Sequence, residues 1–145
     1  MEMADTVRFH LLQAFRLNNR RSLKEFISGI FKKEGFKLES LDYIFCSDEY
    51  LLKMNQEFLK HDYYTDIITF DLSASGETIN GEIYISIDRV KENAATNVQS
   101  FKEELHRVMF HGALHLCGYK DKSKTDKALM TKMEDHYLLK FRMLS

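Results

Sequence analysis

An α/β fold of the α+β type is what this sequence predicts: a small mixed sheet of about four strands packed with about five helices. Three observations carry it. Apolar residues recur at strand spacing in some segments and at helical spacing in others. Serine or aspartate stands ahead of most helical runs, where a side-chain oxygen can cap free backbone N–H groups. The 145 residues are 44% hydrophobic and 30% charged, with no proline, enough to bury one core. No linker, repeat or low-complexity tract interrupts them, so a single domain over residues 1–145 is expected.

In chain order, the apolar stretch Val7 to Phe15 is expected as a strand. Ser22-Leu-Lys-Glu25 has the form of a capping box. Behind it Leu23, Phe26, Ile27 and Ile30 recur at helical spacing, and Gly35 ends the pattern. Leu41, Tyr43 and Phe45 alternate with Asp42, Ile44 and Cys46, which predicts a largely buried strand from about Leu38 to Ser47. Asp48 can cap a helix carrying Leu51, Leu52, Met54 and Phe58. Thr65 to Phe70 is β-branched and aromatic, as strands are. Ser73 to Thr78 reads as a loop, and Glu82 to Ile87 as another strand with the clearest alternation of the chain. Asp88 opens a helix to about Thr96. Ser100, with Glu103 three residues on, caps the next helix. Its Leu105, Val108, Met109, Ala113, Leu114 and Leu116 predict burial of much of its surface. A last helix from about Thr125 to Leu139 places Leu129, Met130, Met133 and Tyr137 on its inner side.

Charge and composition narrow the function classes. A formal net charge of −1 argues against a chain that coats nucleic acid indiscriminately. Arg16, Arg20, Arg21, Lys24, Lys32, Lys33 and Lys37 make the first third locally basic. This is either an RNA-tracking face or a solvated helix face, since Glu25, Glu34 and Glu39 are interspersed. No apolar run is long enough to span a bilayer, so no membrane partner is expected. Met1 to Asp5 is acidic and lacks a signal-peptide pattern. Two cysteines, Cys46 and Cys117, imply no disulfide framework. A cytoplasmic location is the expectation.

The segment His111-Gly-Ala-Leu-His115-Leu-Cys-Gly118-Tyr-Lys-Asp121 carries the chemistry. Two histidines four apart project from one helical face, about 40° apart, and can grip one metal ion. Gly118 allows a sharp turn, which brings Asp121 within reach as a third ligand. Three protein ligands and an open position for water describe a catalytic zinc site, and nickel or copper can occupy the same nitrogens. Gly112 stands where the H-E-x-x-H peptidases carry their general-base glutamate. Glu104 lies two turns before His111 on nearly the same face, placed to orient an imidazole or take a proton from water. Cys117 points away from His115 and reads as a small buried residue. His10, His106 and His136 read as structural or surface residues.

With that segment on a helix, the chain resembles the YbeY family of metal-dependent endoribonucleases in ribosomal RNA maturation. The family signature H-G-x-L-H-L-x-G-Y-D-H is matched by His111, Gly112, Leu114, His115, Leu116, Gly118 and Tyr119. A second block, N-x-x-Y-R followed by T-D/N-V-L-S-F, is matched by Asn55, Phe58, Thr65, Asp66, Ile67, Ile68, Thr69 and Phe70. A third, G-D/E-I-x-I-S, is matched by Gly81, Glu82, Ile83, Ile85 and Ser86. The likeness spans roughly residues 38 to 138. There are departures. The third family histidine aligns with Asp121, Lys120 stands where Asp is usual, and Tyr64 replaces the proline before Thr65. The arginine implicated in the family's catalysis aligns with Leu59.

The resemblance implies a zinc-dependent, single-strand-specific endoribonuclease acting on ribosomal RNA precursors. Its expected partners are unpaired RNA and the small subunit or its assembly factors, with no DNA. His111, His115 and Asp121 are the expected ligands of one zinc ion, with Glu104 as the family's acidic residue. Arg107, one turn before His111, is expected to supply the charge lost at Leu59 and to bind the scissile phosphate. Lys60 and His61, beside the empty arginine position, are rival replacements, and Thr65 and Asp66 are expected to line the cleft. Two alternatives stay open: a non-catalytic assembly factor braced by structural zinc, and a zincin-like peptidase.

Overall fold

A computed structural model describes residues 6–74 and 76–144. The N-terminal segment Met1 to Asp5, Ser75 of the expected loop and Ser145 lie outside them. Among the described residues nine elements follow one another: β1 (Val7–Leu11), α1 (Arg20–Lys33), β2 (Lys37–Cys46), α2 (Asp48–Phe58), β3 (Ile67–Asp71), β4 (Thr78–Ser86), α3 (Ile87–Thr96), α4 (Phe101–Leu116) and α5 (Lys124–Arg142). This is the expected α/β class with a mixed sheet. Its order is β1-β2-β4-β3, with β1, β2 and β4 parallel and β3 antiparallel to β4.

The period of two in the strands assigns the two faces. Tyr43, Phe45, Ile83 and Ile85 point into the main core with Leu23, Ile27, Val90, Leu105, Met109 and Tyr137. Cys46 and Ile68 point the other way and meet Leu51 of α2 in a smaller cluster. Helix α2 therefore covers one face, while α1, α3, α4 and α5 supply the core on the other.

Helix α4 is the central piece. Leu105, Val108, Met109, Phe110, Ala113, Leu114 and Leu116 are all buried. Gly112 faces the sheet: a Cβ there would lie 2.8 Å from Ile83 Cδ1 and 3.0 Å from Ile67 Cδ1. The missing side chain lets the helix seat against β3 and β4. At its end, the Gly118 N–H donates to the His115 carbonyl at 3.0 Å and the Tyr119 N–H to the Leu114 carbonyl at 3.1 Å. That double closure is a Schellman motif, and it requires the left-handed φ of 102° that Gly118 adopts.

Several local expectations are corrected. β1 stops at Leu11 rather than Phe15. Ser22 is not a cap: α1 starts at Arg20 behind Asn19, which sits at φ 56° and makes no side-chain cap bond. Helix α2 is capped by Ser47, whose hydroxyl accepts from the Tyr50 N–H, and not by Asp48. Asp48 instead accepts from the Ser86 hydroxyl and from Arg89. Helix α3 begins one residue earlier than expected, at Ile87 behind Ser86. The capping box the chain does possess is Ser123 with Asp126, at the start of α5. On α5, Met130 and Tyr137 are buried as expected, but Leu129 is 47% exposed and Leu138 faces inward in its place.

Candidate active site

Glu104, Val108, His111 and His115 recur every three or four residues, with Arg107 one turn before His111, so α4 presents them on one face. That face lines a cleft of about 440 Å³. The loop before β3 and the strand itself contribute Thr65, Asp66, Ile67 and Thr69. Asp121, from the turn after α4, and Glu134, from α5, complete the lining.

His111 is the most constrained member. Its Nδ1 lies 2.6 Å from Oε2 of Glu134, so a proton on that nitrogen is donated to a carboxylate. In the neutral ring the lone pair is then on Nε2, which stands 3.6 Å from Oδ2 of Asp121. Glu134 is only 6% exposed, and its other oxygen accepts from Nη1 of Arg107 at 2.8 Å. Nη2 of Arg107 donates to Asp135 at 2.6 Å. Thr65 donates its hydroxyl to the Ile67 carbonyl, and Asn93 donates to a carboxylate oxygen of Asp66.

Burial shifts the acids of the cleft. It pushes Asp66 above the ordinary carboxylate range, against the opposing pull of His111. Glu104 is raised as well, by burial first and by the Asp66 charge second, with Arg107 opposing. For His111 burial works downward, but the Glu134 bond and the nearby carboxylates outweigh it, and the imidazole ends above its usual value. Burial likewise lowers Arg107, and its bonds to Asp135 and Glu134 reverse that.

Of the residues singled out in the sequence, Glu104, Arg107, His111, His115, Asp121, Thr65 and Asp66 share this one cleft. Glu104 is buried rather than a solvated helix carboxylate. Arg107 pairs across to α5, not with Glu103 or Glu104 of its own helix. Lys60 and His61 are not in the lining. The backbone turns at Lys60, with φ 58°, and both side chains stand on an exposed loop. Tyr119 of the signature has a bracing contact: its hydroxyl and that of Tyr137 both donate to Glu34, the C-cap of α1.

Glu134 was not singled out from the sequence. Its trace was present there, since Met130, Glu134 and Tyr137 fall at helical spacing and place a carboxylate inside an apolar stripe. The partner that explains it lies on another helix.

Among the described residues no three His, Cys, Asp or Glu side chains converge as a ready cation cage. The donor chemistry nonetheless fits a divalent cation. Two imidazoles and a carboxylate are zinc-type ligands, and a carboxylate on Nδ1 leaves Nε2 as the ligating atom.

Comparison with known proteins places the chain in a family. The family model described as Endoribonuclease YbeY matches residues 12–142. A relative from Cytophaga hutchinsonii named Endoribonuclease YbeY is 54% identical over 121 residues, covering 83% of this chain and 85% of its own. One of the same name from Porphyromonas gingivalis is 50% identical over 123 residues, covering 85% and 81%. The solution structure of TM1509 from Thermotoga maritima superposes with a TM-score of 0.65 at 30% identity, covering 93% of this chain and 88% of that one. A three-block signature, a shared fold and a match over most of the chain agree: this protein belongs to the YbeY family.

Proposed function

We propose that the protein is a zinc-dependent endoribonuclease that cuts unpaired RNA, with ribosomal RNA precursors as substrate, in the cytoplasm and in contact with the small ribosomal subunit or its assembly factors. The observation that carries this reading is the Glu134–His111–Asp121 line, because it presents Nε2 of His111 to a cleft shared with His115. In this reading His111, His115 and Asp121 hold the ion. Bound there, zinc supplies a Lewis acid for a phosphoryl oxygen and an acidified water.

The charge balance of the cleft favours the same conclusion. Four carboxylates, Asp66, Glu104, Asp121 and Glu134, line it against one arginine. Such a lining repels phosphate unless a cation or protons neutralise it. Burial holds Asp66 and Glu104 toward the protonated form, which makes Glu104 suited to exchanging a proton with a water at the cleft wall. Thr65 and Asp66 border the path of the strand. Arg107 keeps free N–H donors beyond its two carboxylate bonds, and these are proposed to steady the phosphoryl charge. Gly112 faces the sheet, so no side chain at that position can act as the general base of a peptidase.

The test is cleavage of single-stranded RNA by purified protein, with and without chelator, beside His115→Ala to exclude contaminating ribonuclease. Metal-dependent cleavage lost in the variant is expected. Chelator-induced unfolding without any cleavage would replace the reading with a zinc-braced assembly factor. Equal metal content in Asp121→Ala and wild type would remove Asp121 from the ligand set. An Arg107→Ala protein with undiminished RNA affinity and cleavage would remove Arg107 from the phosphate site.

A further inference from the structure

The loop joining α2 to β3 displays aromatic rings that the core does not use. Tyr63 is 56% exposed and Tyr64 50%. The His61 and Tyr63 rings stack, with centroids 5.1 Å apart and planes 19° from parallel. The guanidinium of Arg89 lies 5.2 Å from the centre of the Tyr64 ring.

The backbone beneath these rings is fixed. Asn55 is 1% exposed and donates Nδ2 to the Tyr63 carbonyl at 2.8 Å. The Asn55 carbonyl in turn accepts from the His61 N–H at 3.0 Å. A buried amide thus pins the middle of the loop and holds two tyrosines outward at little further entropic loss on binding. The next residues are Thr65 and Asp66, both in the cleft lining. The displayed rings therefore adjoin the place where the phosphodiester is proposed to be cut.

We propose that Tyr63 and Tyr64, backed by His61 and Arg89, form a stacking platform for unpaired bases of the RNA strand that enters the cleft. The proposal rests on the endoribonuclease reading and extends it from the scissile bond to the neighbouring bases. Every base has a π-face, so such a platform accepts many sequences but requires bases free of a duplex. The strand preference would then arise at this loop as well as in the cleft.

Equilibrium binding of a short, labelled, non-self-complementary 2′-O-methyl phosphorothioate oligoribonucleotide, which resists cleavage, to the metal-loaded full chain tests this. A matched oligonucleotide with abasic positions is the control. Tyr63→Ala and Tyr64→Ala are each expected to weaken binding about five- to a hundredfold, with Tyr63→Phe and Tyr64→Phe near wild type. On abasic RNA the wild type should bind more weakly, and the alanine variants should lose little more. Alanine variants that bind like wild type would overturn the proposal. So would equal loss on normal and abasic RNA, which indicates a surface for another class of partner. Thermal melts verify that these exposed substitutions leave the fold intact. If metal-loaded wild type cleaves RNA while the rings have no effect on binding, the platform fails and the nuclease reading stands. If wild type neither binds nor cleaves, both fall.

Discussion

Glu134 holds two side chains of the cleft at once, accepting from Nδ1 of His111 on one oxygen and from Nη1 of Arg107 on the other. Glu134→Gln keeps the shape but weakens both bonds. It is expected to lower zinc affinity about 10- to 100-fold, as losing a carboxylate behind a ligating histidine does. Competition with a chromogenic chelator measures this, and unchanged affinity would mean that His111 needs no such support. His106, on the far side of the same helix, tests a different property. It is 7% exposed, stacks on Phe110 and meets Phe141 edge-on. Burial lowers its pKa from 6.5 to about 4, with Lys102 adding to the shift. A depressed folded pKa means the unfolded chain takes the proton first. Stability from the neutral ring is therefore full above pH 6.5 and lost as pH falls toward 4, up to about 3 kcal/mol. Urea midpoints measured across this range should fall in wild type and flatten in His106→Leu.

Helix ends and helix seating supply the predictions at the next scale. Helix α3 closes with the same double bond pattern as α4, the Val98 N–H donating to Ala95 and the Gln99 N–H to Ala94. Val98, however, occupies the left-handed position at φ 53° with a β-branched side chain that is 90% exposed. Val98→Gly removes that steric strain and is expected to stabilise by about 1 kcal/mol, read as a shift in the urea midpoint without change in slope. Gly112→Ala should do the opposite. The new methyl meets Ile83 and Ile67 at 3.0 Å or less, and overpacking of this kind costs about 1–3 kcal/mol. These elements also show what the sequence made legible. α4 was readable because its apolar spacing, its serine cap and its glycine stop agree. The starts of α1 and α2 were misread because several capable residues lie in a row there. Spacing does not decide between Ser47 and Asp48, whereas the partners of Asp48 in β4 and α3 do.

Taken whole, the molecule brings four separate parts of the chain to one cleft: the β3 approach, α4, the turn after it and α5. Zinc binding should therefore tie them together and raise Tm. At a hundred times its dissociation constant the rise is expected to be about 5–10 °C for a chain of this size, with chelator reversing it. A melting curve indifferent to zinc would count against the metal reading. Long-range assembly also explains why the α4 part of the site was legible from spacing, Thr65 and Asp66 only through the family resemblance, and Glu134 not at all. His111, His115 and Asp121 are close in sequence, so helical geometry relates them. Glu134 meets them through the packing of α5, and Lys60 and His61 leave the cleft because the backbone reverses at Lys60. Periodicity encodes neither event.

The dependence of His111 on Glu134 bears on how the protein comes into being. Synthesis delivers the histidine segment first and the helix that orients it afterwards. A nascent chain halted between these two points contains the whole H-G-x-L-H signature but not the carboxylate that orients its first imidazole. The hydrogen-bonded arrangement of His111 is thus acquired late, after α5 has emerged and docked.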